Sequence, residues 1–196
     1  MNRKNFIIVL LFGGMLTPCV AQNNSAAKKS TVTKKATVAK KQSTAPLVIT
    51  VDDPAIVNGH VAFLGVPVKQ PEAEITKQLK VKGLVPKTEN GFQFLGGTAY
   101  GVQVKVFVDS EDMISVRETK AYTKAQARNR VMAYQKAFLD ATKGNVAENT
   151  MNYNSNEEGG VTIQTSGGNI EIHYSNQDEV EFSSKYFDVI ITFVQN

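Results

Sequence analysis

The chain has 196 residues, with 22 basic and 18 acidic side chains and a formal net charge of +4. Residues 1–21 hold two of the basic groups and 22–46 hold six lysines without an acid, so 22 less two and six leaves 14 basic against 18 acidic residues in 47–196. The globular part is therefore acidic, and it lacks the basic balance that a nucleic-acid-binding domain needs.

Residues 1–21 read as an export signal. Asn2 to Asn5 supply a short basic start, Phe6 to Met15 an apolar run too short to span a bilayer, and Cys19-Val20-Ala21 the small residues a signal peptidase requires. Cleavage after Ala21 puts the protein in the periplasm or outside the cell and leaves a mature chain without cysteine. Disulfides, thiol catalysis and cysteine-ligated metals then drop out. The minor alternative is a lipoprotein anchored through Cys19: Leu16 stands three residues before it as such a signal wants, but Pro18 occupies the place of a Gly, Ala or Ser.

Residues 22–46 form a Lys-rich linker. AKKSTV, TKKATV and AKKQST follow one another over 27–44, repeating a lysine pair at Lys28-Lys29, Lys34-Lys35 and Lys40-Lys41. Without large apolar residues the segment cannot offset its ordering entropy and is expected to be disordered. Its charge suits weak electrostatic contact with an anionic envelope surface; a solvated spacer is the plainer expectation.

Residues 47–196 make one ordinary domain. Leu47, Ile49 and Val51 alternate until Asp52-Asp53-Pro54 interrupts them, Asn58-Gly59 is a turn pair, and His60 to Val68 reads as a strand that Pro67 confines to an edge. A short helix follows, with Pro71 at its first position, Glu72 and Glu74 in its first turn, Ile75 and Leu79 as its buried stripe, and Gly83 as a left-handed cap folding Leu84 back on Leu79. Phe92 and Phe94 start a strand that Gly96-Gly97 is expected to break. Tyr100, Val102, Val104, Val106 and Val108 then alternate with Gly101, Gln103, Lys105 and Phe107, and Ile114 and Val116 resume the pattern after Asp109 to Asp112, which predicts a hairpin with one core face.

Thr123 and Gln126 make a capping box, and Ala127, Val131, Tyr134, Phe138 and Ala141 form one helix face running to Lys143-Gly144, with Arg128, Asn129, Gln135, Lys136 and Asp140 opposite. After it, Glu157 to Gly160 and Ser166 to Gly168 read as turns. Val161 with Ile163, Ile170 with Ile172 and Tyr174, and Phe187 to Phe193 read as strands. The expected fold class is α+β: an antiparallel β-sheet of about eight strands with two helices packed on one face.

Phe63-Leu64-Gly65-Val66-Pro67, then Leu79-x-x-Lys82-Gly83-Leu84, Val102-x-Val104-x-Val106 and a helix carrying Tyr134 and closing on Lys143-Gly144 together form a recognisable series. Over roughly residues 60–194 the chain resembles exported Bacteroidetes proteins of unknown function whose fold is similar to the β-lactamase inhibitor protein. The resemblance implies helices against a curved antiparallel sheet. It implies no β-lactamase partner, because fold alone does not transmit function.

Few residues point to chemistry. Glu171 and His173 share a strand face opposite Ile170 and Ile172, and such a pair suits acid–base work or the start of a metal site, although no third ligand or nucleophile lies nearby in sequence. His60 stands alone. Asp109, Glu111 and Asp112 are spaced somewhat like calcium ligands, but Ile114 occupies the sixth loop position, where glycine is required. Gly96-Gly97 and Gly159-Gly160 precede no helix that would receive a phosphate. Among the asparagines at 145, 149, 152, 154 and 156, Asn152, Asn154 and Asn156 would share one face of an edge strand with Tyr153 opposite, a polar strip suited to a sugar or another protein's strand.

The functional expectation is an exported non-catalytic module that binds a protein or peptide through its sheet or the Asn-rich edge strand, with an unknown protein or glycan of the cell envelope as partner and no cofactor or metal. The candidate binding residues are Asn152, Tyr153, Asn154, Asn156, Glu171 and His173. The alternative is a hydrolase or metal-dependent enzyme using Glu171 and His173.

Overall fold

Four X–Gly pairs with positive φ at both residues turn the first half of the domain into hairpins: Asn58-Gly59, Leu64-Gly65, Asn90-Gly91 and Tyr100-Gly101. That backbone matches the right-handed twist of paired strands, which is why two-residue hairpins use it. The computed structural model describes residues 47–110, 112–152, 158–176 and 186–196. The segment expected to be an export signal, the Lys-rich segment, Cys19 and the six paired lysines lie outside the described residues.

The first two turns join β1 (Ile56–Val57), β2 (His60–Phe63) and β3 (Val66–Pro67) into a small antiparallel sheet. The strand expected over 60–68 is thus a hairpin, because Leu64 adopts φ 51° and reverses the chain. Leu47 to Val51 joins no strand.

Helix α1 (Glu72–Val81) follows, with Pro71 as its N-cap and not its first turn. Its C-terminus closes as expected: Gly83 has φ 93°, its N–H donates to the Lys80 carbonyl at 3.0 Å, and the Leu84 N–H donates to the Leu79 carbonyl at 3.2 Å. Strands β4 (Val85–Glu89), β5 (Phe92–Ala99), β6 (Val102–Ser110) and β7 (Met113–Glu118) form an antiparallel meander. The hairpin of β6 and β7 is the one read from the valine row, except that Tyr100 sits in the preceding turn at φ 53°. Gly96-Gly97 lies inside β5 and does not break it. A Cβ on Gly97 would fall 2.6 Å from Leu84 Cδ2, so these glycines admit neighbouring side chains against the strand.

Helix α2 (Lys124–Ala141) begins at the Thr123–Gln126 capping box and buries Ala127, Val131, Tyr134 and Phe138. Arg130 and Gln135 are also buried. Gln135 faces inward because its amide donates to Asn149 Oδ1 at 3.0 Å, contrary to the outward side expected for it. A second meander follows, β8 (Val146–Asn152), β9 (Glu158–Thr165), β10 (Gly168–Asn176) and β11 (Phe187–Val194). Glu158, Gly159 and Gly160 belong to β9 and not to a turn. The Ser166–Gly167 turn joins β9 to β10 as expected.

The two meanders make one eight-stranded antiparallel sheet in the order β4-β5-β6-β7-β11-β10-β9-β8. The chain is therefore a helix followed by a four-stranded meander, twice, with β7 and β11 meeting antiparallel at the centre. Helix α1 packs on β6 and β3, and α2 packs on β9, β10 and β11. Between helices and sheet lie Val104, Val106, Ile114, Val116, Ile170, Ile172, Val189 and Ile191, with Phe63, Tyr134, Phe138 and Phe193 as the largest fully buried groups. Phe138 contacts Tyr100 and Phe193 edge-on at 5.5 and 5.6 Å between ring centroids. The α+β class is as expected.

Candidate functional site

Strand alternation sends every second residue of the sheet away from the helices, and the pairing register fixes which of these are neighbours. One cross-sheet row reads Val85, Gly96, Lys105, Arg117, Ile190, His173, Gly160 and Asn152, one residue from each of the eight strands. The adjacent row carries Phe107, Ser115, Thr192, Glu171 and Thr162, with Phe94 beside Lys87 at its β4–β5 end. From β4 to β9 these rows form the outer face.

The half of that face on β4–β7 is aromatic and cationic. Phe94 and Phe107 lie 5.9 Å apart, Lys105 Nζ stands 5.2 Å over the Phe94 ring, and Phe92 beside them is 71% exposed. A cleft of about 430 Å³ opens among Asn90, Phe92, Phe94, Phe107 and Arg117. Lys105 donates to Glu89 Oε2 at 2.7 Å and Arg117 Nη2 pairs with Asp188 Oδ2 at 2.8 Å. Arg117 is half-exposed, and this pair uses one of its three nitrogens. None of Phe92, Phe94, Lys105, Phe107 or Arg117 stands out as a site residue in the sequence. The one signal there is Phe107, a large ring at a wet position between Lys105 and Asp109.

The half on β9–β11 holds Glu171 and His173, which point to the outer face opposite buried Ile170 and Ile172, as the alternation requires. They border a shallow cleft of about 230 Å³ with Glu158, Gly160 and Thr162. Gly160 makes the cleft possible, since a Cβ there would lie 2.6 Å from the Ile172 carbonyl oxygen and 2.7 Å from His173 Cβ. Burial lowers the His173 pKa below its ordinary 6.5, Glu171 and Glu158 oppose that shift, and Arg117 adds to it. The imidazole is therefore neutral at pH 7. Among the described residues, no group of three or more His, Cys, Asp or Glu side chains is placed to hold a metal ion.

Asn152 ends β8 at the sheet edge, paired with Gly160. Tyr153, Asn154 and Asn156 lie outside the described residues. Asn149 accepts from Gln135, and Asn145 Nδ2 donates to the Thr142 carbonyl at the end of α2, so these two asparagines serve the fold. His60 Nδ1 lies 3.1 Å from Gln195 Oε1. Asp112 is paired with Lys69 at 2.7 Å, and Glu111 lies outside the described residues.

On the inner face, four polar side chains are gathered under α2, of which the sequence places only Tyr134, on the buried helix face. Glu118 accepts from Arg130 Nη2 and Tyr134 Oη, each at 2.6 Å, and from Tyr122 Oη. Burial, followed by Glu118, raises the pKa of the Tyr122 hydroxyl; burial and the Glu118 charge do the same for Tyr134. Burial alone would lower the Arg130 pKa, but Glu118 outweighs it and the guanidinium stays charged. The cluster is sealed from solvent, so it holds α2 to β7 and offers no site.

Comparison with family models, with curated proteins and with solved structures returned no match.

Proposed function

We propose that the protein is an exported, non-catalytic binding module of the kind its sequence resembles, which takes a protein or peptide of the cell envelope on the outer face of its sheet. The observation that carries this reading is the cluster of Phe92, Phe94 and Phe107 with Lys105 and Arg117 on a face that neither helix of the described residues covers. Aromatic side chains and arginine are enriched in interfaces: the rings bury large areas, and the guanidinium offers several donors in a fixed fork. A rigid sheet also holds them in place before the partner arrives, which lowers the ordering cost of binding. Strand β8, whose Asn152 pairs with Gly160, forms the edge of the same sheet.

The test is capture from envelope extract on the immobilised full chain, compared with Phe107→Ser and Arg117→Glu. A specific partner retained by wild type and lost from both variants supports the reading. Equal capture by all three would remove it.

A second reading rests on the neutral imidazole of His173 beside Glu171 in the Gly160 cleft, an arrangement suited to a general base of a hydrolase or metal-dependent enzyme. Hydrolytic screening of wild type against His173→Ala separates the two: turnover that vanishes with the imidazole favours the enzyme.

A further inference from the structure

The outer face is divided by charge. On one side of the β7–β11 junction stand Lys105 and Arg117; on the other stand Glu171 and Glu158, bordering the Gly160 cleft. The two sides also balance in position. Lys105 is one strand outward from β7, and His173 with Glu171 is one strand outward from β11. At the junction itself Ser115 and Thr192 are cross-strand partners.

A two-fold axis along the strands at that junction would lay β7 over β11, β6 over β10 and β5 over β9 of a second copy. Lys105 would then face His173 of the second copy, with Glu171 and Glu158 of that copy on its diagonals, while Phe107 would cover Glu171 and Phe94 would cover Thr162. The Lys105 ammonium then comes between the Glu171 and Glu158 carboxylates of the second copy, Arg117 lies over its Ile190, and each contact occurs twice. This is the self-complementarity that an isologous interface demands.

We propose that the partner this face takes includes a second copy of the chain, seated face to face across that axis. The inference rests on the reading of the outer face as a docking surface and names one occupant for it. Area is consistent with it. Six strands at about 4.8 Å spacing and four outward rows at about 6.8 Å give on the order of 500–800 Å² for each copy, at or somewhat below the ~800 Å² per partner of a standard interface. Face-to-face sheets pack about 10 Å apart, within reach of lysine, arginine and phenylalanine side chains from both sides. The internal pairs do not block it. Glu89, the partner of Lys105, is exposed and yields to a second carboxylate, and Arg117 keeps donors beyond the one given to Asp188.

Sedimentation of the full chain from micromolar to submillimolar concentration tests this. Wild type should shift from monomer to dimer, with a dissociation constant that rises as salt screens the two charged halves. Lys105→Glu should weaken the dimer by on the order of tenfold or more, since it adds a third carboxylate between Glu171 and Glu158 of the other copy, twice over. Lys105→Glu combined with Glu171→Lys should recover it. Ser115→Arg, which puts bulk and charge at the axis, should abolish it, and it decides the question if thermal melting shows the lysine variant unfolded. Wild type that stays monomeric at the highest concentration overturns the proposal, as does a dimer that neither Lys105→Glu nor Ser115→Arg disturbs. A monomer whose capture of an envelope protein still depends on Phe107 and Arg117 would remove the dimer alone. A dimer with the behaviour expected here, but with extract capture indifferent to those residues, would remove the heterologous partner alone.

Discussion

Glu118 at the end of β7 and Arg130 in the second turn of α2 are joined at 2.6 Å while being only 2% and 7% exposed. Tyr122 and Tyr134 donate to the same carboxylate, and the guanidinium lies 5.1 and 5.6 Å from their ring centroids. One carboxylate therefore fixes the position of the longer helix on the sheet. Arg130 Nε has no partner among the described residues, so the arrangement is not fully satisfied. Burying such a pair is costly, and removing half of it is costlier still.

Glu118→Ala should accordingly lower unfolding free energy by about 3–5 kcal/mol. Replacing both partners, as in Glu118→Leu with Arg130→Met, should cost far less than the sum of the single replacements. Urea denaturation of the four proteins in a double-mutant cycle measures the coupling. Additive losses would mean that the pair does not act as a unit.

Gly160 and Gly96 sit in the same cross-sheet row but face different obstacles. A Cβ at Gly160 meets a backbone oxygen and His173 Cβ, neither of which can swing away, whereas a Cβ at Gly96 meets Lys87 Cδ at 2.7 Å, the middle of a mobile exposed side chain. Gly160→Ala should destabilise by about 1–3 kcal/mol as an overpacked site does. Gly96→Ala should stay within about 1 kcal/mol of wild type, its lower backbone entropy offsetting the shift of Lys87. Equal denaturation midpoints for the two variants would contradict this contrast.

The pH dependence of stability follows from His173. Its folded pKa is depressed by burial, and Glu171 and Glu158 offset this only in part. The unfolded chain takes up a proton near pH 6.5 that the folded chain resists, so this contribution is fully present above that pH and is lost as the pH falls toward the folded value. His173→Gln should flatten the change in urea midpoint between about pH 7 and pH 5.5. An unchanged slope would show that the imidazole is as hydrated in the fold as outside it.

Val104 and Phe138 belong to the layer between sheet and helices, where they are 2% and 0% exposed. Val104→Asp or Phe138→Asp places a carboxylate in that dry layer, and at position 104 it stands beside the cross-strand Glu118 carboxylate. Each should abolish cooperative thermal unfolding, read by near-ultraviolet circular dichroism. A retained sharp transition in either would mean that the helix layer does not seal the sheet.

The α+β class is legible because its longest elements announce themselves locally. The Thr123–Gln126 box, the spacing of Val131, Tyr134 and Phe138, and the valine row of β6 need no knowledge of partners. The turns are half legible. Asn58-Gly59 belongs to the residue types that tolerate positive φ, while Leu64 and Tyr100 adopt it against their own preference because the hairpins demand it. Glycine pairs mislead in the opposite direction: Gly96-Gly97 and Gly159-Gly160 mark close approach within strands, a use of glycine that looks the same as a turn in one dimension. Alternation alone places Glu171 and His173 on the correct face. Their nearness to Arg117 is not legible, because it depends on β7 pairing with β11. Glu118 and Arg130 escape notice for the same reason, since each is an ordinary surface residue until the other neutralises it.

The order of strands also bears on how the chain folds. Every ladder of the eight-stranded sheet joins neighbours along the chain except the one between β7 and β11, which brings Arg117 to Ile190. Each meander can thus zip from its own hairpins, while their union must close a long loop before any contact rewards it. The central ladder is expected to set the barrier, so Val116→Ala and Ile191→Ala should slow refolding and give higher φ-values than Ile163→Ala in β9. The same ladder would then govern both the speed of folding and the middle of the exposed face.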